Sequence, residues 1–116
     1  MAIVNAQLKT TALDIFDQAS GLGVPVGKSY AVTNILVCNT GTSAAEFDMH
    51  LIPAGNNLNN KVTRVVNNLS LPAAETFTFD SERIVLEAGD AIVFVASPDI
   101  GATLTDLAAT ASYLEV

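Results

Sequence analysis

Residues 21–30 read GLGVPVGKSY, and a Gly-Lys-Ser closing a glycine-rich stretch is the ending of a loop that cradles phosphate with backbone N–H groups. That loop needs a glycine, four residues, then Gly-Lys-Ser/Thr. With Gly27 as the second glycine, the first falls on Leu22, whereas Gly21 leaves five residues between and Gly23 leaves three. It also needs a helix to begin at the serine, so that the helix N-terminus faces the anion. Ser29 is followed instead by YAVTNILVCN, whose β-branched and aromatic residues favour a strand. Spacing and context both exclude a nucleotide loop, and Lys28 reads as a solvated charge at a strand end.

Other residues able to do chemistry are sparse. A cysteine nucleophile needs a thiolate with a base beside it, and Cys38 with His50 is the single combination the sequence offers. Alternation puts Cys38 on a strand face with Tyr30, Val32 and Leu36, as a small core hydrophobe. It puts His50 with Glu46 and Asp48 on a polar face, so the expectation is a core thiol and a surface imidazole. Zinc needs more histidines and cysteines than one of each. Asp80, Ser81 and Glu82, or Glu87 with Asp90, could offer oxygens to calcium, but the alternating acids and closing glutamate of a calcium loop are missing. Hydrated turn carboxylates are the simpler reading. Asp14 with Asp17, or Glu46 with Asp48, are paired acids, yet glycoside hydrolysis needs two carboxyls at a set separation across a cleft. Asn68-Leu69-Ser70 matches a glycan acceptor by chance in a chain without a secretory leader pattern. No catalytic, cofactor-binding or metal-binding residue is assigned, and an enzyme is not expected.

The elements that would position any site follow from composition and periodicity. The chain has 116 residues, long enough for one domain with a substantial core. Half of them are hydrophobic and only 15% charged, against roughly 25% in ordinary soluble domains, which suggests surface covered by neighbouring subunits. Net charge is −7, and Lys9, Lys28, Lys61, Arg64 and Arg83 are scattered, so neither nucleic acid nor an anionic membrane surface is an expected partner. A lone cysteine rules out an internal disulfide.

Period-two patterns recur along the chain. Tyr30 to Cys38 is apolar on both faces, as in a central strand. Ala45, Phe47, Met49 and Leu51 alternate with Glu46, Asp48 and His50, after a turn at 39–43. Residues 62–71 fit a strand, with a short helix as the lesser option. Phe77 and Phe79 alternate with Thr76 and Thr78. Strands at 83–87 and 91–96 flank a turn at Ala88-Gly89-Asp90, and Leu107, Ala109, Ala111 and Tyr113 share one side of a last strand. Two further candidates lie at 2–9 and 11–17, and residues 18–28 form a loop. Eight or nine short strands without an amphipathic helix predict an all-β protein, an antiparallel β-sandwich of two sheets compatible with a jelly-roll-like topology. The whole of 1–116 reads as one domain. Nine asparagines, most of them at 56–68, mark a hydrogen-bonding loop surface.

Three segments, SYAVTNILVCNTGTSAAEFDMHLIPAG (29–55), LPAAETFTFDSERIVLEAGDAIVFVAS (71–97) and ASYLEV (111–116), resemble a recurring type of small virion protein of tailed bacteriophages. The match runs from Ser29 to the C-terminus and rests on turn and strand signatures, with no catalytic residue among them. The resemblance implies a β-sandwich subunit present in several copies on the particle, as a capsid decoration (cement) protein or a neck, tail or fibre component. It implies structural roles for Gly89-Asp90, as a hairpin turn, and for Asn39, at a strand end. Residues 1–28 lie outside it, as a less regular N-terminal segment for attachment. The implied partners are further copies of the chain, in a closed ring such as a trimer, and the major capsid protein or other virion proteins. The implied location is the virion, after synthesis in the host cytoplasm.

Physics points the same way, because open sandwiches have edge strands that need blunting or coverage, and few basic residues are available here to blunt them. The competing class is a carbohydrate-binding module. Sugar platforms are aromatic, and this chain has no tryptophan and two tyrosines, Tyr30 and Tyr113, both on expected core faces.

Overall fold

The computed structural model describes residues 2–79, 84–101 and 103–116. Nine strands run in chain order: β1 (Ala2–Lys9), β2 (Leu13–Asp14), β3 (Tyr30–Asn39), β4 (Ala45–Ile52), β5 (Arg64–Leu71), β6 (Thr76–Phe79), β7 (Ile84–Leu86), β8 (Ala91–Ser97) and β9 (Leu104–Glu115). Among the described residues there is no helix.

Pairing is nested and antiparallel throughout. β4 pairs with β5, β3 with β6 and β7, β2 with β8, and β1 with β9. The chain is thus a long hairpin folded about the β4–β5 connection. Rolling that hairpin brings β3 against β9 and β4 against β8, which gives two sheets in the orders β1-β9-β3-β6, with β7 beyond β6 on β3, and β2-β8-β4-β5. This is the winding of a jelly roll.

The two sheets close on one core. Leu8, Val32, Ile35, Val37, Leu107, Ala109 and Ala111 face inward from the first sheet; Leu13, Phe47, Met49, Ile92 and Phe94 face them from the second. The small Ala109 and Ala111 leave room for large rings opposite. Phe47 stands edge-on to Phe77 at 5.6 Å and tilted to Phe94 at 6.3 Å between centroids. Removing such a ring costs about 3–5 kcal/mol, because tight interiors relax only partly around a cavity. A second cluster, Phe16 with Tyr30 and Tyr113, closes the end where the chain enters β3.

Four expectations need correction or sharpening. First, β3 does not keep one parity. A bulge at Thr33 lets Val32 face Tyr113 and Asn34 face Ser112, with Thr33 inserted between. Tyr30 and Val32 are core residues before it, Ile35 and Val37 after it, so Leu36 and Cys38 turn outward. The Thr33 hydroxyl, freed from the ladder, reaches the Ser112 carbonyl at 3.1 Å. Second, the Gly89-Asp90 turn is not a hairpin. Gly89 has the positive φ of 87° that the turn needs, and Asp90 Oδ2 accepts from the Glu87 amide at 2.9 Å. But β7 pairs in one sheet and β8 in the other, so the turn is a corner between sheets. Third, residues 64–71 are strand. Fourth, the strand expected at 11–17 shrinks to Leu13–Asp14, because the Asp14 carboxylate captures the next amides. Arg83 and the acids Asp80 and Glu82 lie outside the described residues.

Candidate assembly surfaces

The two residues considered for nucleophilic chemistry stand on opposite outer faces of the sandwich. Cys38 is half-buried on the outside of the first sheet, and His50 is on the outside of the second. Neither is where the sequence put it: Cys38 is no core thiol, because of the bulge, and His50 is no surface imidazole. His50 is fully buried, because residues 53–63 fold over the outer face of β4. Its Nδ1 lies 2.8 Å from the Thr63 hydroxyl. That hydroxyl also donates to the Asn59 carbonyl and accepts from the Asn59 amide, each at 3.0 Å. The hydroxyl has one proton for two acceptors, Asn59 O and His50 Nδ1; when it lies on Asn59, Nδ1 donates, and Nε2 is buried without a partner among the described residues. Burial pushes the imidazole below its ordinary value; Asp48 pulls it up and Arg64 pushes it down.

Asp48 is also buried, which corrects its assignment to a solvated face, whereas Glu46 is exposed. Asp48 Oδ2 lies 3.5 Å from Arg64 Nη2, and its Oδ1 accepts from the amide of Asn68. Asn68 adopts φ 45° where β5 slips register against β4. Arg64 also donates from Nη1 to Asn67 Oδ1 at 2.6 Å, while its Nε is buried without a partner among the described residues. This cluster ties β5 to β4 at the bulge; its carboxylate is occupied.

Asp14 and Asp17 are loop staples as well. Asp14 accepts from the amides of Phe16 (3.0 Å), Asp17 (3.3 Å) and Gly23 (2.7 Å). Burial pushes its carboxyl above the ordinary value, and these three amides only partly offset that. Asp17 accepts from Ser20 and Leu22. The glycines of the false phosphate loop serve this geometry: Gly23, at φ 78°, lies so close to the Asp90 carbonyl that a Cβ would overlap it. Val24 then donates to Asp90 O at 3.0 Å and accepts from Gly89 at 2.9 Å, tying the loop to the sheet corner. Lys28 pairs with Glu115 at 3.3 Å, both exposed. Asn39, at the end of β3, is a buried hub: its Nδ2 donates to Ser43 O and Leu71 O, and its Oδ1 accepts from Gly41. Among the described residues no three His, Cys, Asp or Glu side chains converge as a metal site.

Two surfaces remain without an internal role. The loop at 15–29 contains no strand and presents Leu22 at 72% and Val26 at 96% exposure, beside Pro25. The second surface is the outside of the first sheet. Registers place Gln7, Ala108, Cys38 and Thr76 in one transverse row, and Asn5, Thr110, Leu36 and Thr78 in the next. Ile3, Ser112 and Asn34 follow, then Leu114, Ala31 and Val85. No charged side chain stands in these rows. The signal was available in the sequence as missing charge at alternate positions of 3–7, 34–38 and 108–114, but only the ladder shows that these positions adjoin.

Compared with known proteins, the chain matches no family model, and no curated protein is significantly similar to it.

Proposed function

We propose that this protein is a non-enzymatic structural protein of a tailed-phage virion, a capsid decoration (cement) protein that self-associates and stabilises the shell. The observation that carries the reading is the pairing of an uncharged outer sheet face with an exposed apolar loop, on a jelly roll whose buried carboxylates, Asp14 and Asp48, and buried imidazole are engaged in holding loops and strands. The turn and strand signatures that resemble phage virion proteins support it. In this reading the Leu22–Val26 loop docks on the shell, and binding that favours the assembled particle stabilises it by mass action.

The sugar-binding alternative needs an exposed aromatic platform. Tyr30 is buried, and Tyr113 packs against Phe16 and Tyr30, so the sandwich offers no such platform from its tyrosines.

The test is reconstitution. Purified protein is mixed with particles of the parent phage that lack it, sedimented, heated and imaged by cryo-electron microscopy. Expected are co-sedimentation, retention of packaged DNA to a higher temperature, and repeated density on the shell. Density confined to the neck, tail or fibres would replace decoration by that placement. No binding to any part of the particle would sink the virion reading.

A further inference from the structure

We infer that the outer face of the β1-β9-β3-β6 sheet is a self-association surface, on which a second copy of this chain packs face to face about a two-fold axis near Leu36 and Thr110. The inference does not rest on the virion reading, because it concerns the isolated protein.

Charge selects the occupant. At a net charge of −7, two copies repel unless their carboxylates are kept apart, and like charges brought together oppose association strongly. Elsewhere the described surface carries acids: Glu46 on the second sheet, Glu75, Glu87 and Asp99 in the connections, and Asp106 and Glu115 at the two ends of β9. The four rows between those ends put no charge opposite a second copy. One acid, Asp106, borders the face beside Gln7 and Ala108; the rows themselves offer a basic partner no acid and an acidic one no base, and an identical neutral face needs neither.

Shape and area agree. Outward side chains along the middle of the face are short (Ala108, Thr110, Ser112, Cys38, Thr78), which suits sheets stacking at about 10 Å. The rows span about 23 Å along the strands and about 19 Å across them, at ~3.3 Å per residue and ~4.8 Å per strand. Corrugated by side chains, such a footprint exposes on the order of 600 Å², the lower bound for each partner in a stable interface. Ile3, Leu36, Val85 and Leu114 supply the apolar part, with Ile3 at 68% and Val85 at 61% exposure in the single chain. A face near the lower bound belongs with weak, transient contacts, so association is sought at high protein concentration. The same patch on both partners makes the contact isologous, so it closes at two copies, unlike the ring of three that the sequence suggested.

The test is mass by light scattering, from about 1 to 100 μM, for the wild-type chain, Thr110→Lys and Asn56→Lys. Thr110 sits at the centre of the face; Asn56 is exposed on the loop over the other sheet and receives the same charge change. Wild type and Asn56→Lys are expected to approach twice 12.1 kDa at the top of this range, with Thr110→Lys at least tenfold weaker and its circular dichroism unchanged. A wild type that stays monomeric at 100 μM, a limiting mass of three chains, or a Thr110→Lys variant that associates like wild type would each overturn the inference. Should Thr110→Lys misfold, Ser112→Lys on the neighbouring row of β9 is read in its place. Dimerisation with failed particle binding leaves this inference standing and removes the virion reading alone.

Discussion

The two sheets face outward in opposite ways. On the β2-β8-β4-β5 side, His50 projects from β4 and is buried against Thr63 at the end of the 53–63 connection, while Asp48 beside it is taken up by Arg64 and the Asn68 amide of β5. On the β1-β9-β3-β6 side, the strands project amides, hydroxyls and small apolar groups, and no loop of the described residues is bonded across their middle. The first arrangement is costly to build and specifies a local structure; burying those groups is tolerable only because partners satisfy most of them. The second leaves most of its polar groups in water, apart from Asn34 Oδ1, which is buried without a partner among the described residues, and it has no charge in its rows to desolvate against a copy of itself. One face has cover built into the chain, and among the described residues the other has none.

If the outer side of the second sheet is held by its polar contacts, those contacts should be expensive to remove. Asp48→Ala leaves Arg64 half-buried without its carboxylate and the Asn68 amide without an acceptor at the bulge. A loss of about 2–3 kcal/mol in urea unfolding is expected, since a stranded buried donor or charge costs its full desolvation. A loss under about 0.5 kcal/mol would mean that the cluster is solvated and the two faces are alike. Thr63→Val preserves shape and deletes the hydroxyl that joins His50 to Asn59. It should cost about 1–2 kcal/mol and speed hydrogen exchange at the Asn59 amide, without altering exchange in β9.

The buried His50 should also make stability depend on pH near neutrality. Because desolvation holds the folded His50 below the ordinary 6.5, the unfolded chain takes up the proton first as pH falls. The contribution of neutral His50 is complete above pH 6.5 and is lost as pH drops from there toward the depressed native value. Asp14 acts in the opposite direction at lower pH. Its native value is raised above 3.8, so the folded chain binds that proton more readily and gains stability as pH falls toward 3.8. In His50→Asn, whose amide keeps a donor toward Thr63, the fall in urea midpoint just below pH 6.5 should flatten. An unchanged slope would show that His50 titrates as an exposed imidazole.

Most of the architecture was legible, and the failures share a cause. β9 was readable because Leu107, Ala109, Ala111 and Tyr113 share one side while Thr110 and Ser112 put hydroxyls on the other. β3 misled because both its faces are apolar: with no contrast along 30–38, a one-residue slip at Thr33 leaves no trace in the pattern, yet it reverses the facing of Leu36 and Cys38. His50 and Asp48 looked solvated because alternation reports only which side of a strand a residue takes. Whether a loop then covers that side depends on 53–63, an aperiodic stretch rich in asparagine. The corner at Gly89-Asp90 has the turn chemistry of a hairpin, and only the pairing of β7 with β3 and of β8 with β4 shows that the chain changes sheets there.

The smallest expected effect bears most directly on the contrast between the faces. Among the described residues Thr110 makes no side-chain hydrogen bond, and its outward neighbours Asn5 and Leu36 leave a long side chain free to reach water. In a monomeric sample, at concentrations well below association, Thr110→Lys should therefore shift stability by less than about 0.5 kcal/mol, the usual range for an open surface position. Lysine is a poorer strand former than threonine, which costs a few tenths, while the added positive charge relieves some of the chain's negative self-repulsion. A loss above about 1.5 kcal/mol would mean that the hydroxyl is buried by something within the chain. The face would then be covered already, with no room for a second copy.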